Sequence, residues 1–270
     1  MNIVEQTKNG VTFFSSDGMD AAGGAAHGFS TRLGGVSEGM WASLNLGASR
    51  GDDPDHVREN YRRFFAAIGA DGKRLAMTNQ VHGGQVRCVT TADVHGDPCE
   101  KAGYEADGLM TDLPGVTLVV YSADCIPILF YDPARRVIAA VHAGWRGTAA
   151  GIASQAVERM RDVYGCRPGD ILAAVGPGIG PDCFETHEDV PNAMTAALST
   201  AVLQHIKIKE NGKFAVDLKG INAMRLEQAG LDRSHIAVSQ LCTSCRSELF
   251  WSHRKLGTNR GSMAAAIQLI

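Results

Sequence analysis

Cys125 and His142, two residue types that bind soft metals, flank one apolar stretch of this 270-residue chain. Residues 116–148 read VTLVVYSADCIPILFYDPARRVIAAVHAGWRGT. Three apolar runs (116–121, 126–131, 137–141) are broken at Ser122-Ala123-Asp124-Cys125 and at Asp132-Pro133-Ala134-Arg135. The second break reads as a turn, because Asp opens it and Pro presets φ. The runs on either side are therefore expected to pair as a β-hairpin. Centring the pairing near Pro133-Ala134 sets Cys125 or Ile126 opposite His142, within a residue. Directly opposed Cβ atoms lie about 4.5–5.5 Å apart. A thiolate and an imidazole that close can share one metal ion, since zinc accepts sulfur at about 2.3 Å and nitrogen at about 2.0–2.1 Å. A catalytic site also needs a third ligand and an open position. The best candidate ligand is His82, in Asn79-Gln80-Val81-His82-Gly83. The same residues suit a plainer role. A Cys beside an apolar strand commonly packs as a small core residue, and a His at a strand end is commonly only hydrogen-bonded. Spacing alone leaves both readings open.

The elements that must position these groups alternate in period. Val57, Tyr61, Phe64, Phe65 and Ile68 recur at helical spacing, so a helix is expected over 55–67. Asp53 or Pro54 starts it and Gly69 caps its end. Its aromatic residues read as core. A second helix is expected over 149–164, with Thr148 as N-cap and Gly165 as C-cap. Its N-terminus would face His142 and Arg146, and helix N-termini favour anions. Further helices are expected over 189–206 and 216–229. Strands are expected over 11–14 (as an edge), 85–90, 109–112, 171–175, 236–241 and 263–269. Residues 21–26 and 91–105 read as loops, and His95 and Cys99 in the second are left out of the site. Arg32 stands beside Gly34-Gly35. Its planar fork could reach a phosphate or carboxylate, or it could be a solvated turn residue.

Composition narrows the class. Apolar residues make up 44% and charged residues 20%, ordinary for a globular domain. A net charge of −3 gives no footprint for nucleic acid. No run reaches about 18 apolar residues, so no membrane span is expected. The start MNIVEQTKNG lacks the pattern of a secretory signal. Seven scattered cysteines and no signal point to a reducing cytoplasm and free thiols or metal ligands.

Several motifs find no support in their surroundings. The loop Gly176-Pro177-Gly178-Ile179-Gly180-Pro181 lacks the Gly-Lys-Ser/Thr of a phosphate loop and the spacing of a dinucleotide fingerprint. Cys242-Thr243-Ser244-Cys245 could be redox-active or half of a zinc site, but no second Cys-x-x-Cys accompanies it. No His-x-His pair is present to hold a copper cluster, so zinc is expected ahead of copper. The zinc-deaminase signature is absent as well.

NQVHG, SADCIPILFYDP, AVHAGWRGTAAGI, GPGIGPDCFE and CT…ELFWSHRK follow one another in that order. From about residue 27 to 267 the chain resembles the YfiH/laccase-domain family. Its members are variously called polyphenol oxidase, purine nucleoside phosphorylase and peptidoglycan editing factor. The resemblance implies zinc on His82, Cys125 and His142. It also implies one α/β domain over 1–270, with mixed β-sheets and hairpins covered by helices, similar to cysteine-hydrolase-like toxins. The activity implied is phosphorolysis of adenosine, inosine and methylthioadenosine, with deamination of adenosine as a further reaction. Arg32 and Arg146 would then neutralise phosphate, while Asn45, Asn79 and Asp124 would contact the sugar or base. The alternative is an amide hydrolase that edits the cell-wall precursor UDP-MurNAc-L-Ser, through activated water or through a Cys125–His142 pair. Polyphenol oxidase and non-catalytic nucleotide binding are weaker alternatives. The chain departs from the family at Asp182, where a cysteine is usual, and at His253 and Lys255 of a final segment expected to be a basic strand. Thr258-Asn259-Arg260-Gly261 also departs, which leaves the role of Arg260 open.

Overall fold

A computed structural model describes residues 1–270. In chain order the first part runs β1 (Ile3–Lys8), β2 (Val11–Ser16), α1 (Asp17–Ala22), β3 (Ala25–Ser30) and α2 (Pro54–Ile68). Short strands follow: β4 (Leu75–Ala76), β5 (Val86–Cys88) and β6 (Gly108–Thr111). Next come β7 (Thr117–Ser122), β8 (Ile126–Asp132), β9 (Val137–Ala143), α3 (Trp145–Ala149) and α4 (Ile152–Tyr164). Then follow β10 (Leu172–Val175), β11 (Glu185–Thr186), α5 (Asp189–Leu198), β12 (Ile206–Ile208) and β13 (Phe214–Val216). The chain continues through α6 (Leu218–Gln228), β14 (Ile236–Val238), α7 (His253–Leu256) and β15 (Met263–Leu269).

Two mixed six-stranded sheets form the body, ordered β1-β2-β3-β15-β7-β4 and β14-β10-β8-β9-β6-β5. A small third sheet is ordered β11-β13-β12. Alternation along the strands builds the layers, because successive side chains leave a strand on opposite faces. Ile128, Phe130, Val137, Ala139 and Val141 pack with α4 and α6 residues such as Val157, Met160, Ile221 and Leu226. Their neighbours Leu129, Tyr131, Ile138 and Ala140 meet Phe29, Leu118, Val120, Ala265 and Ile267 of the other sheet. The far face of that sheet, with Phe13, Val119, Ala264 and Ala266, is covered by Val57, Tyr61, Phe64 and Phe65 of α2. The order is helix, sheet, sheet, helices, with three separate apolar cores. Both faces of β8 and β9 are covered, which is why they read as unbroken apolar runs.

The hairpin forms as expected: β8 and β9 pair antiparallel with Pro127 opposite His142 and Ile126 opposite Ala143. Helix α2 begins at Asp53, whose side chain accepts from the Asp55 N–H, and ends at Gly69. Other expectations are corrected. Residues 11–14 belong to an inner strand, flanked by β1 and β3. Residues 21–26 hold the end of α1 and the start of β3. The helix expected over 149–164 starts at Ile152, capped by a left-handed Gly151, while Thr148, expected as its cap, lies inside the separate short helix α3. The helix expected over 189–206 stops at Leu198, where Ser199 takes φ 69°. Val216 belongs to β13, and Asp217 caps α6. The segment 248–255 is no strand: Phe250 and Trp251 are buried just after a turn, and Ser252 caps α7. No helix is long and apolar enough to cross a membrane.

Candidate metal centre and its cleft

His142 is the penultimate residue of β9 and Cys125 immediately precedes β8, so the hairpin brings both to one end of the central strands. Along β9 the odd-numbered residues face the helices, which turns His142 toward the other sheet. His82 arrives from the loop between β4 and β5. Its ring lies 4.9 Å from that of His142, edge to face. The ligand atoms of His82, Cys125 and His142 lie within 4.8 Å of one another.

The residue that fixes this arrangement is Asp107, just before β6 and fully buried. One carboxylate oxygen accepts the His142 Nδ1–H at 2.8 Å. The carboxylate also accepts the backbone N–H groups of Val81, His82 and Gly83, at 3.1, 3.0 and 2.7 Å. A carboxylate offers about four lone-pair sites, so this group is saturated. It turns His142 Nε2 outward and holds His82 in a left-handed conformation at φ 61°. Burial pushes the Asp107 carboxyl up, but the His142 bond and the backbone donors outweigh it and hold it below its ordinary value.

The three groups shift one another. Burial pushes the Cys125 thiol up, yet the charge of His142 and hydrogen bonds from His142 and His82 bring it down to about 6. Burial pushes His142 down, yet the Cys125 thiolate and Asp107 raise it to about 9. Without an ion, the centre is a thiolate–imidazolium pair held by a buried carboxylate.

The donors fit a metal. One thiolate and two imidazoles are a zinc-type set, and tetrahedral geometry sets such donors about 3.3–3.8 Å apart. Asp107 behind His142 is the outer partner that metal-bound histidines use. Space is kept clear by Gly144, where a Cβ would stand 2.9 Å from His82 and 3.2 Å from the Cys125 sulfur.

The centre opens into a cleft of about 550 Å³, within the range of small-molecule sites. Its walls include Arg50, Met77, Asn79, Gln80, Tyr121, Ser122, Arg260 and Ser262, and the loop 98–102 closes one side. Arg260 is buried, with its Nε unpartnered. Burial first, and then the neighbouring Arg50 charge, lower its guanidinium to about 10, against the pull of Asp124 and Cys125.

Of the expected contact residues, Asn79 lines this cleft and four others do not. Arg32 stacks 3.7 Å over the Trp251 ring and donates to the Ser247 and Ala42 carbonyls, so its fork is occupied. Asn45 is buried between Asp52, the Gly47 N–H and the Ser262 N–H. Asp124 accepts from the Thr243 hydroxyl and the Arg254 N–H, each at 2.6 Å. Arg146 lies exposed over Trp145. Cys99, read as an inert loop residue, is half-buried and lines the cleft, whereas His95 pairs with Leu75 outside it. Asp107 and Arg50 are what the sequence reading missed, and Arg260, whose role it left open, lines the cleft. Ala106-Asp107-Gly108 offers one signal, an acidic residue directly before a strand.

Residues 26–270 match the family model described as multi-copper polyphenol oxidoreductase laccase. A Geobacillus stearothermophilus protein named purine nucleoside phosphorylase YlmD is 39% identical over 247 residues, 90% of each chain. Purine nucleoside phosphorylase YfiH of Escherichia coli K12 is 39% identical, covering 89% of this chain and 92% of its own. The crystal structure of YlmD from Geobacillus stearothermophilus superposes with a TM-score of 0.91 at 36% identity over 99% of both chains. That of the Bacillus licheniformis hypothetical protein YfiH gives 0.90 at 31% identity over 98% of this chain and 99% of its own. With sequence and fold alike matching over nearly its whole length, the chain belongs to the YfiH/laccase-domain family.

Proposed function

We propose that the chain is a zinc-dependent purine nucleoside phosphorylase, a single catalytic domain over 1–270 that works in the cytoplasm. Adenosine, inosine and methylthioadenosine are its substrates, and deamination of adenosine is a further reaction of the same centre. The names of the relatives suggest the activity. The observation that carries it here is the Arg50–Arg260 pair in the same cleft as His82, Cys125 and His142. Two guanidinium groups that repel each other, one of them buried, favour an anion between them, and phosphate suits their forks. The phosphate role expected of Arg32 and Arg146 therefore passes to Arg50 and Arg260.

Glycosidic cleavage passes through an oxocarbenium-like state. The cleft residues must set phosphate below the sugar and hold the nucleoside still. Asn79 offers an amide for sugar or base, while both ends of the Gln80 amide are held by the Tyr121 backbone. Asp107 keeps His142 from turning. Zn²⁺ on His82, Cys125 and His142 would supply a Lewis acid that polarises a phosphate oxygen.

The test is product analysis of zinc-loaded protein with adenosine, with and without phosphate. Adenine is expected only when phosphate is present. Arg260→Ala should raise the KM for phosphate at least tenfold with metal content unchanged. Equal adenine release without phosphate would sink the reading.

One observation favours a second reading. Cys125, His142 and Asp107 also line up as nucleophile, base and orienting acid. Such an alignment suits an amide hydrolase acting on UDP-MurNAc-L-Ser, and it is where the expected likeness to cysteine-hydrolase-like toxins belongs. That enzyme would survive chelation and lose activity on alkylation of Cys125, whereas the phosphorylase would lose activity on chelation.

A further inference from the structure

A second group of soft ligands lies outside the cleft. Cys183 follows the loop 176–181, and Cys242 and Cys245 follow β14. Their three sulfurs lie within 4.8 Å of one another, with Cys183 and Cys245 at 3.3 Å. We propose that Cys183, Cys242 and Cys245 form a second metal site for a thiophilic ion, zinc or cuprous copper. This inference does not rest on the phosphorylase reading.

Chain distance makes the convergence informative. Cys183 is 62 residues from Cys245, so only the fold can bring it to the Cys-x-x-Cys pair. The geometry is close to what an ion needs. At a Zn–S distance of about 2.3 Å, three sulfurs around one ion stand about 3.8–4.0 Å apart. The present spacing reaches that with shifts below about 1 Å.

The backbone is built around the sulfurs. The Gly178 and Cys242 segments bridge in parallel, and the Thr243 N–H donates to the Gly178 carbonyl. The Gly180 N–H donates to the Cys242 sulfur at 3.1 Å. A Cβ at Gly180 would stand 3.1 Å from the Cys242 Cβ and 3.4 Å from its sulfur, so a side chain there would crowd the approach. Lys219 is buried at 5% exposure, donates to the Leu241 carbonyl at 2.8 Å, and faces Cys242. An N–H donor and a buried ammonium both favour a thiolate over a thiol. Cys245 is exposed and borders a second cleft of about 550 Å³, which leaves room for an ion to enter and for water as a fourth ligand. Binding displaces the thiol protons to solvent and needs no oxidant.

The two centres are neighbours. Thr243, inside the Cys-x-x-Cys, donates to Asp124, and the Ile179 N–H donates to the Asp124 carbonyl. Asp124 adjoins Cys125. An ion on the three cysteines would therefore fasten the segments that back the first site.

The test counts metals. Reduced, metal-stripped full-length protein is reloaded with Zn²⁺, or with Cu⁺ under anaerobic conditions, freed of excess ion and analysed for metal per chain. Two equivalents of one or the other ion are expected in the wild type. One should remain in His82→Ala, and one in Cys183→Ser/Cys245→Ser. Co²⁺ gives an independent readout: thiolate-to-cobalt absorption in the near ultraviolet should persist in His82→Ala and fall sharply in the cysteine double variant. Cys245→Ser alone changes only an exposed side chain, so the fold tolerates it, and it should weaken retention of the second equivalent at least tenfold. A single equivalent of either ion that His82→Ala abolishes would overturn the proposal. So would equal metal content in the wild type and the cysteine variants, or a Cys183–Cys245 disulfide with no ion taken up after reduction.

Discussion

Asp107 shows how much one buried carboxylate can hold together. It joins a strand-end histidine to a loop that carries another, through one side-chain and three backbone donors. Asp107→Asn replaces one acceptor oxygen with an amide nitrogen that must face donors. Metal affinity should fall about 10- to 100-fold, the usual effect of losing such an outer partner. Competition for zinc with a chromophoric chelator would measure it; unchanged affinity would mean that the loop positions His82 unaided. Cys125 makes a second prediction. Thiolate content rises with pH, so a thiol lowered to about 6 becomes nucleophilic well below the ordinary value of about 8.5. In metal-free protein, iodoacetamide labelling of Cys125 should be half-maximal near pH 6, with Cys166, pushed up to about 12 by burial, as the unreactive control. The sign for stability follows. The lowered thiol stabilises the fold above its unfolded value and loses that contribution as pH falls through about 6. The raised imidazole contributes below its unfolded value and loses it as pH rises through about 9. The pair is intact between the two. Cys125 and His142 were legible because a hairpin relates them by local counting. Asp107 was not, because its bond to His142 spans 35 residues and no local rule selects it among the other carboxylates. Arg50 and Arg260 were obscured for the same reason, and Arg32 drew attention through its glycine-rich neighbours while its fork serves two carbonyls.

At the level of elements, signals held where the chain itself closes the hydrogen bonds. Helix α2 carries its own start, period and stop, and the structure keeps all three. Asp53→Ala should remove one cap bond, cost about 1 kcal/mol and lower the melting temperature by about 2–4 °C. A shift of zero would show that Pro54 alone sets the helix start. Signals failed where tertiary contact overrode them. The strand expected over 248–255 came from the family motif that this segment resembles. Phe250 and Trp251 are instead wedged into the core just after a turn, and Trp251 donates to the Leu44 carbonyl. The break after Leu198 was hidden because Ser199 is an ordinary residue at a left-handed backbone position.

Across the whole molecule, mixed sheets under helices could be read from the sequence, but the strand order could not, since partners far apart in the chain leave no mutual pattern. The last strand illustrates this. β15 inserts between β3 and β7 and supplies Met263, Ala265, Ile267 and Leu269 to the core between the sheets. A chain stopped after residue 262 should therefore show no cooperative thermal transition and should bind a hydrophobic dye; a normal transition would refute the central role of β15. The Ala264 N–H donates to a Ser30 hydroxyl 234 residues earlier. On a ribosome adding about 5–20 residues per second, β3 waits on the order of ten seconds or longer for its neighbour. Until then the first sheet is two fragments with open edges. The nascent chain must cross that interval with unpaired strands exposed, so its demand for chaperones should track translation speed more than final stability.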